Sequence, residues 1–486
     1  MEKALARNEL VRALSHSTHG TLGSFVDLAE PYIRSAQAND EEFLARLIAW
    51  NERKGQIRDS KLALPVVHWT LTGNGAFQEN AQAHLALRSP RELEAAWRFA
   101  RTFDTPLGVR QLNSLVKKYL RYRESRPKMW DRAALQHRDS MRGLYALSHV
   151  KPSPYADAVL FKKQYRDGTV FKALQQMKHM TATEVAVAVA QFRIPFIPLQ
   201  AALGKRMQDK DIAFALLDNM TPTELVTNQR LLEKMGVKTD PALRHRYREA
   251  MQKVSANTTA NVLKTQQAAD HIEDQEMKEV LAKVQATQIK KSAGVEGSWL
   301  VLADKSQSMH IGIEAGIFIA GHLAAMVKGE VHLVLFDNGV RYFNCTGRTL
   351  PQIKDELQHV RPTGGTSGGV GLQYMRNHKD HIVDGIVMVS DGETWQAPFF
   401  GEEYQKYCQF IGKELPVYFY QVGLGGQQFE ADCGAHNIRL EKFDLRGLAI
   451  DYYAVPNLIQ TMRVNPFSLS DEIFNTPLLK LTDVFN

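Results

Sequence analysis

Residues Ser298–His310 read SWLVLADKSQSMH, an apolar run that stops at Asp304 and is followed at once by serines at 306 and 308. A strand ending this way delivers a carboxylate and two hydroxyls, all hard oxygen donors, into one loop. The runs EVHLVLFD, GIVMVSD and LPVYFYQVG repeat the β-rich texture further along. Stretches of helical length, such as 312–328 and 366–377, separate them, and buried strands alternating with helices predict a doubly wound α/β domain. Ligands of such sheets sit beyond the carboxyl ends of the strands, which puts the Asp304 loop on the functional edge.

Upstream the period changes. EEFLARLIAWNERK, RELEAAWRFARTF, GVRQLNSLVKKYLRYR and TELVTNQRLLEKMG space their apolar residues three and four apart, as amphipathic helices do. TATE (Thr181–Glu184) and TPTE (Thr221–Glu224) carry the Thr-to-Glu spacing of a capping box, and Pro222 stands where a first helical residue tolerates proline. The two starts lie about 40 residues apart, near the period of paired-helix repeats. A repeat solenoid and an irregular helical domain both fit. A last helix within HIEDQEMKEVLAKVQATQIKKSAGVEGS then runs into a joint near Lys291–Gly297.

At 486 residues the chain exceeds what one core usually supports, and 44% hydrophobic with 23% charged residues is an ordinary globular composition. The segment MEKALARNELVRALSH is charged from its second residue and lacks the apolar core of a secretory signal. The run IGIEAGIFIAGHLAAMV carries Glu314 and His322 and falls short of the about 20 residues of a membrane span, so a cytoplasmic protein without membrane segments is expected. Cys345, Cys408 and Cys433 are odd in number and widely spaced, which fits neither a disulfide framework nor a zinc site. From Ser298 onward there are 15 Lys and Arg against 21 Asp and Glu, which leaves 45 against 32 before it. A basic first part joined to an acidic second part implies a polyanion partner for the former, either nucleic acid or an anionic membrane.

Two further loops belong to the edge marked by Asp304. RPTGGTSGG supplies Thr366 from a glycine-rich turn, and GIVMVSDGE ends its strand at Ser390 and Asp391. Asp304, Ser306, Ser308, Thr366 and Asp391 form an all-oxygen set that suits a divalent cation such as Mg²⁺ better than zinc or copper. The pattern resembles the metal-ion-dependent adhesion site of von Willebrand factor A domains, D-x-S-x-S followed by T and then D. Lys305 stands beside the first of these positions, though its side chain can point away. The bland alternative is a set of strand-end turns capped by Asp and Ser. A serine nucleophile using His310 is disfavoured, since no G-x-S-x-G elbow surrounds either serine.

Lys117–Lys128 reads KKYLRYRESRPK. On a helix Lys117, Lys118 and Arg121 share a face, while Tyr119 and Tyr122 offer stacking surfaces for unpaired bases. Such a combination suits RNA, although a basic run is also commonly a solvated helix face. Further on, His149 and Lys151 precede Pro152 and Pro154, so a helix ends near a constrained turn; a histidine there serves equally well as a cap.

LSHVKPSP, LVTNQRLLEKMGV, GGTSGG and VSDGET together resemble the Ro autoantigen family, the TROVE-domain proteins, in a bacterial form with a carboxyl-terminal von Willebrand factor A domain. The resemblance runs from about Arg110 to Asn457. It implies a ring of HEAT-like paired helices over residues 1–296, the adhesion-type domain over 297–465 and a tail over 466–486. It implies a non-catalytic, monomeric protein that binds small Y-like RNA and the single-stranded ends of misfolded RNA. An exoribonuclease or RNA-repair protein would be its partner. Carried onto this chain, His149 matches the family's RNA-binding histidine, Lys118 with Arg121 or Arg123 its basic partners, and Lys117 and Lys151 flank them. A scaffold whose Mg²⁺ site binds an acidic side chain is the competing reading.

Overall fold

The computed structural model describes residues 2–15, 30, 33–36, 40–55, 57, 59–73, 75–102, 106–256, 279, 281, 295–378, 382–423, 425–445, 455–459, 461–463, 465 and 468–485. Most of the last helix expected before the joint lies outside these residues. A helical amino-terminal region is followed by an α/β sheet, in the expected order.

The sheet has six strands: β1 (Trp299–Asp304), β2 (Val331–Phe336), β3 (Val340–Asn344), β4 (Gly385–Ser390), β5 (Val417–Gln421) and β6 (Leu440–Asp444). Their order is β3-β2-β1-β4-β5-β6, with β3 antiparallel to β2 and every other pairing parallel. All positions of β1, β2, β4 and β5 are buried, as a sheet covered on both faces requires. Alternate residues Leu300, Leu302, Val334, Phe336, Ile386, Met388, Val417 and Phe419 share a core with Leu372, Met375, Phe400 and Tyr404 of the covering helices. The helix His310–Met326 covers β1 and β2. Its Gly316 lies so near the sheet that a Cβ would stand 2.2 Å from that of Ala303, so a larger residue would push the helix away. The apolar run weighed above as a membrane segment is this core helix, with His322 fully buried. Among the described residues, no helix is long and apolar enough to cross a membrane.

In the helical unit, Thr181 and Thr221 both form capping boxes with Glu184 and Glu224. Their separation is not the structural period. Near the starts of helices Ala182–Phe192 and Lys210–Asn219, Thr183 donates to Asp211 across 28 positions, and near their ends Asn219 donates to the Val189 carbonyl across 30. These two helices therefore run side by side in the same direction. Arg246 of the helix Pro241–Ala256 bonds Asp218 across 28 positions, continuing the row. Phe196, which opens the intervening helix Phe196–Leu203, donates its amide to Glu224 across 28 positions. Thr181 thus caps a helix of one row and Thr221 a helix of the other, which is why their spacing exceeds the repeat.

The units themselves are discontinuous in sequence. One comprises Met1–Gly20, Lys54–Arg58 and Gln285–Ile473; the other comprises Thr21–Arg53, Asp59–Val284 and Phe474–Asn486. The expected boundaries 1–296, 297–465 and 466–486 therefore differ at both ends of the chain. In the α/β unit, Arg12 of the helix Glu2–Ser15 pairs with Glu441 of β6 at 3.1 Å. In the helical unit, Leu479 packs with Ala49 and Ala83, whose small side chains leave room for it. Its amide donates to the buried Asn80 Oδ1 at 2.8 Å, and Asn80 Nδ2 donates to the Ala45 carbonyl at 3.0 Å.

Candidate metal centre and nucleic-acid interface

Strands β1 and β4 are neighbours, and the chain leaves β1 for β2 on one side while β4 leads to β5 on the other. A crevice at such a switch point is where doubly wound sheets bind ligands. Asp304 ends β1 and Asp391 follows β4. Ser390 joins them, donating its hydroxyl to Asp304 Oδ2 at 3.0 Å and standing 3.5 Å from Asp391 Oδ1. The Ser306 amide donates to Asp304 Oδ1 at 2.8 Å, and the Glu393 amide to Asp391 Oδ1 at 3.0 Å. The glycine-rich loop is bound to both neighbours: Gln307 donates its amide to the Gly364 carbonyl, while Trp395 and Gln396 donate theirs to the Thr366 carbonyl. Gly392, at φ +89°, lets the chain turn directly after Asp391; a Cβ there would meet the Gly426 carbonyl at 2.6 Å.

Asp304, Ser306, Thr366 and Asp391 are all buried in these loops, whereas Ser308 is exposed. Burial, then the charge of Asp391, pushes the Asp304 carboxyl up to about 6. Asp391 is also raised, by burial first and then by Glu393. Two carboxylates held together out of water favour a proton or a cation between them. Lys305 turns to Asp337 and to Thr363 Oγ1, leaving its ammonium engaged away from the carboxylate pair. Burial works against the charge of Asp337, but that lysine and Thr363 outweigh it and hold the carboxyl below its ordinary range. Ser390 is the participant that sequence reasoning left out of the donor set. Its signal was its place between a buried strand and Asp391. Among the described residues, no three or more His, Cys, Asp or Glu are grouped to hold a metal, so a cation here would rely on hydroxyl oxygens.

The basic stretch ends the helix Pro106–Glu124. Lys117, Lys118 and Arg121 are exposed, as their shared face requires. Arg121 donates to the Lys151 carbonyl at 2.7 Å, and Glu124 accepts from the Ser153 amide at 2.9 Å and from the Tyr145 hydroxyl at 2.8 Å. Burial opposes charge on Glu124, yet these bonds and Arg121 outweigh it and keep the carboxyl below its usual value. The helix end and the LSHVKPSP turn are thus one construction. His149 is exposed at φ +53°, a left-handed conformation uncommon for a non-glycine residue.

One expectation is corrected. Tyr119 offers no stacking face: it is buried, its hydroxyl donates to the Arg88 carbonyl at 3.0 Å, and burial lifts its pKa to about 12. It continues the apolar stripe of Leu112, Leu115 and Val116, which places it on the inner face. Arg123 is partly exposed and lies over the Tyr119 ring, 4.4 Å from its centre.

No family model matches the chain, and no curated protein matches it. Among solved structures, the crystal structure of the Deinococcus radiodurans Ro (RSR) protein aligns over 94% of this chain and 99% of its own, with a TM-score of 0.58 and 14% identity. The chain has the Ro fold. The likeness takes in both the helical region and the sheet that carries Asp304 and Asp391. Proximal thread matrix protein 1 of the mussel byssus aligns over 35% of this chain and 48% of its own, with a TM-score of 0.28 and 15% identity, too slight a likeness to use.

Proposed function

We propose that the chain is a non-catalytic RNA-binding protein of the Ro type. The observation that carries this is the joined surface of Lys117, Lys118, Arg121, His149 and Lys151, tied together by the bond from Arg121 to the Lys151 carbonyl. Lysine and arginine neutralise phosphates, and the surrounding part of the chain has a marked excess of them. The left-handed His149 adds support, since strained non-glycine backbone is retained where its side chain serves a purpose. Structured RNA with a single-stranded end, including a Y-like or misfolded RNA, is the ligand class this surface fits. Filter binding of such an RNA to the intact chain tests the proposal. Affinity should fall steeply with salt, and salt-independent binding would overturn it.

The oxygen set fits a resident Mg²⁺, held by Asp304, Ser306, Ser308, Thr366 and Asp391. Support comes from the paired buried carboxylates and from the absence of nitrogen or sulfur among the donors. The cation would neutralise the pair and offer a coordination position to an acidic group of a partner protein, such as an exoribonuclease or RNA-repair enzyme. A pure scaffold reading is favoured by Trp395, 64% exposed beside Thr366. Loss of a protein partner on Asp304→Ala, in a chain that retains no RNA, would select it.

A further inference from the structure

Phe485 sits on the basic surface. Its ring meets Tyr122 edge-on at 5.1 Å, Lys118 Nζ lies 4.8 Å from its centre, and the Arg126 guanidinium lies 3.9 Å from the centre of Tyr122. Tyr122 and Phe485 are both half-buried, while Lys118 and Arg126 are exposed. The segment bearing Phe485 is fixed to the helical unit upstream: Arg46 donates to the Thr476 carbonyl at 2.9 Å, Arg53 to the Pro477 carbonyl at 2.7 Å, and the Leu481 amide to Glu79 at 3.0 Å.

We propose that Phe485, with Tyr122, Lys118 and Arg126, forms a composite site for an unpaired nucleotide of RNA. The inference rests on the RNA reading above and extends it to a residue more than three hundred positions away in the chain. Each ring has a cation over one face, Lys118 on Phe485 and Arg126 on Tyr122; a base that takes the place of a cation stacks on the ring, and the displaced cation turns to the phosphate. This pairing of aromatic and cation is the arrangement by which single strands are held without sequence preference. Tyr119, buried in the helix, cannot take this part, and Phe485 supplies the second ring instead. The occupant is therefore a single-stranded segment, not a duplex, whose bases are already stacked inside.

The test compares Phe485→Ala, Phe485→Leu and Phe485→Trp in the full chain, each confirmed to melt at the parental temperature. The probes are an RNA hairpin with a single-stranded oligouridine tail and the same hairpin without it. Alanine and leucine should each weaken binding of the tailed RNA about five- to a hundredfold, the span of one base–aromatic stack. Tryptophan should retain affinity, and its fluorescence should be quenched by the tailed RNA only. Parental affinity in Phe485→Leu would show that the ring merely packs and would overturn the inference; tighter binding in Phe485→Ala would show that it covers the surface and would equally overturn it. An intact chain that binds neither RNA would instead overturn the RNA reading, and this inference with it.

Discussion

Replacing Asp304 with Asn probes the carboxylate pair through its energetic consequence. In cation-free protein, burial and the neighbouring Asp391 raise the Asp304 pKa from 3.8 to about 6. At 1.36 kcal/mol per pH unit, that gap corresponds to about 3 kcal/mol. Below pH 3.8 the carboxyl is protonated whether the chain is folded or not, and the folded state suffers no penalty. Between 3.8 and about 6 the unfolded chain releases its proton first, and above about 6 the whole penalty applies. Stability present at low pH is therefore lost as pH rises through this window. Asparagine keeps an acceptor for the Ser306 amide and carries no charge. With EDTA at pH 7.5, Asp304→Asn should be more stable than the parent by about 1–3 kcal/mol, and the difference should shrink toward pH 4. Millimolar Mg²⁺ should offset most or all of this difference, because a ligand at a hundredfold excess over its Kd stabilises the chain that binds it by about 2.7 kcal/mol. Urea unfolding at the two pH values, with and without Mg²⁺, measures all four quantities. An asparagine variant less stable than the parent in EDTA, or one that gains equally from Mg²⁺, refutes the reasoning.

Three other outcomes follow from the same geometry. Lys117→Glu with Lys118→Glu should weaken binding of tailed RNA and lower the slope of log K against log salt by about 0.7 for each lost single-strand phosphate contact; an unchanged slope in filter binding would place the interface elsewhere. Asn80→Ala removes two buried hydrogen bonds and leaves the Leu479 amide without its acceptor, so urea unfolding should show a loss of about 2–4 kcal/mol, together with faster proteolysis of the segment after Phe474. Thr221→Ala deletes the cap shared with Glu224 and should cost about 1 kcal/mol in the same assay; a value near zero would mean that water replaces it without loss.

What the sequence made legible follows burial. β1, β2, β4 and β5 were readable because strands covered on both faces need unbroken apolar runs. β3 and β6 escaped notice because they lie at the sheet edges, where VRYFN and LEKFD mix charge with ring and hide no continuous pattern. That the loops of Asp304, Thr366 and Asp391 meet at one edge was legible because buried parallel strands end there; the bonds of Ser390 were not, because its place beside Asp391 does not say where its hydroxyl points. Tyr119 was misread from its basic neighbours, although the stripe through Leu112, Leu115 and Val116 already assigned it inward. The contact of Phe485 with Tyr122 was not readable at all, since nothing local to a chain segment reports its meeting with a helix hundreds of residues earlier.

The bond between Asn80 and Leu479 spans 399 positions. As the ribosome releases the helical unit, its slot between Ala49 and Ala83 must wait, unfilled, through synthesis of the entire sheet before the segment that closes it emerges. Closing so long a loop is entropically slow, though each doubling of length adds only about 0.6 kcal/mol. A chain cut short inside the sheet would therefore keep that slot open and lack both Leu479 and Phe485.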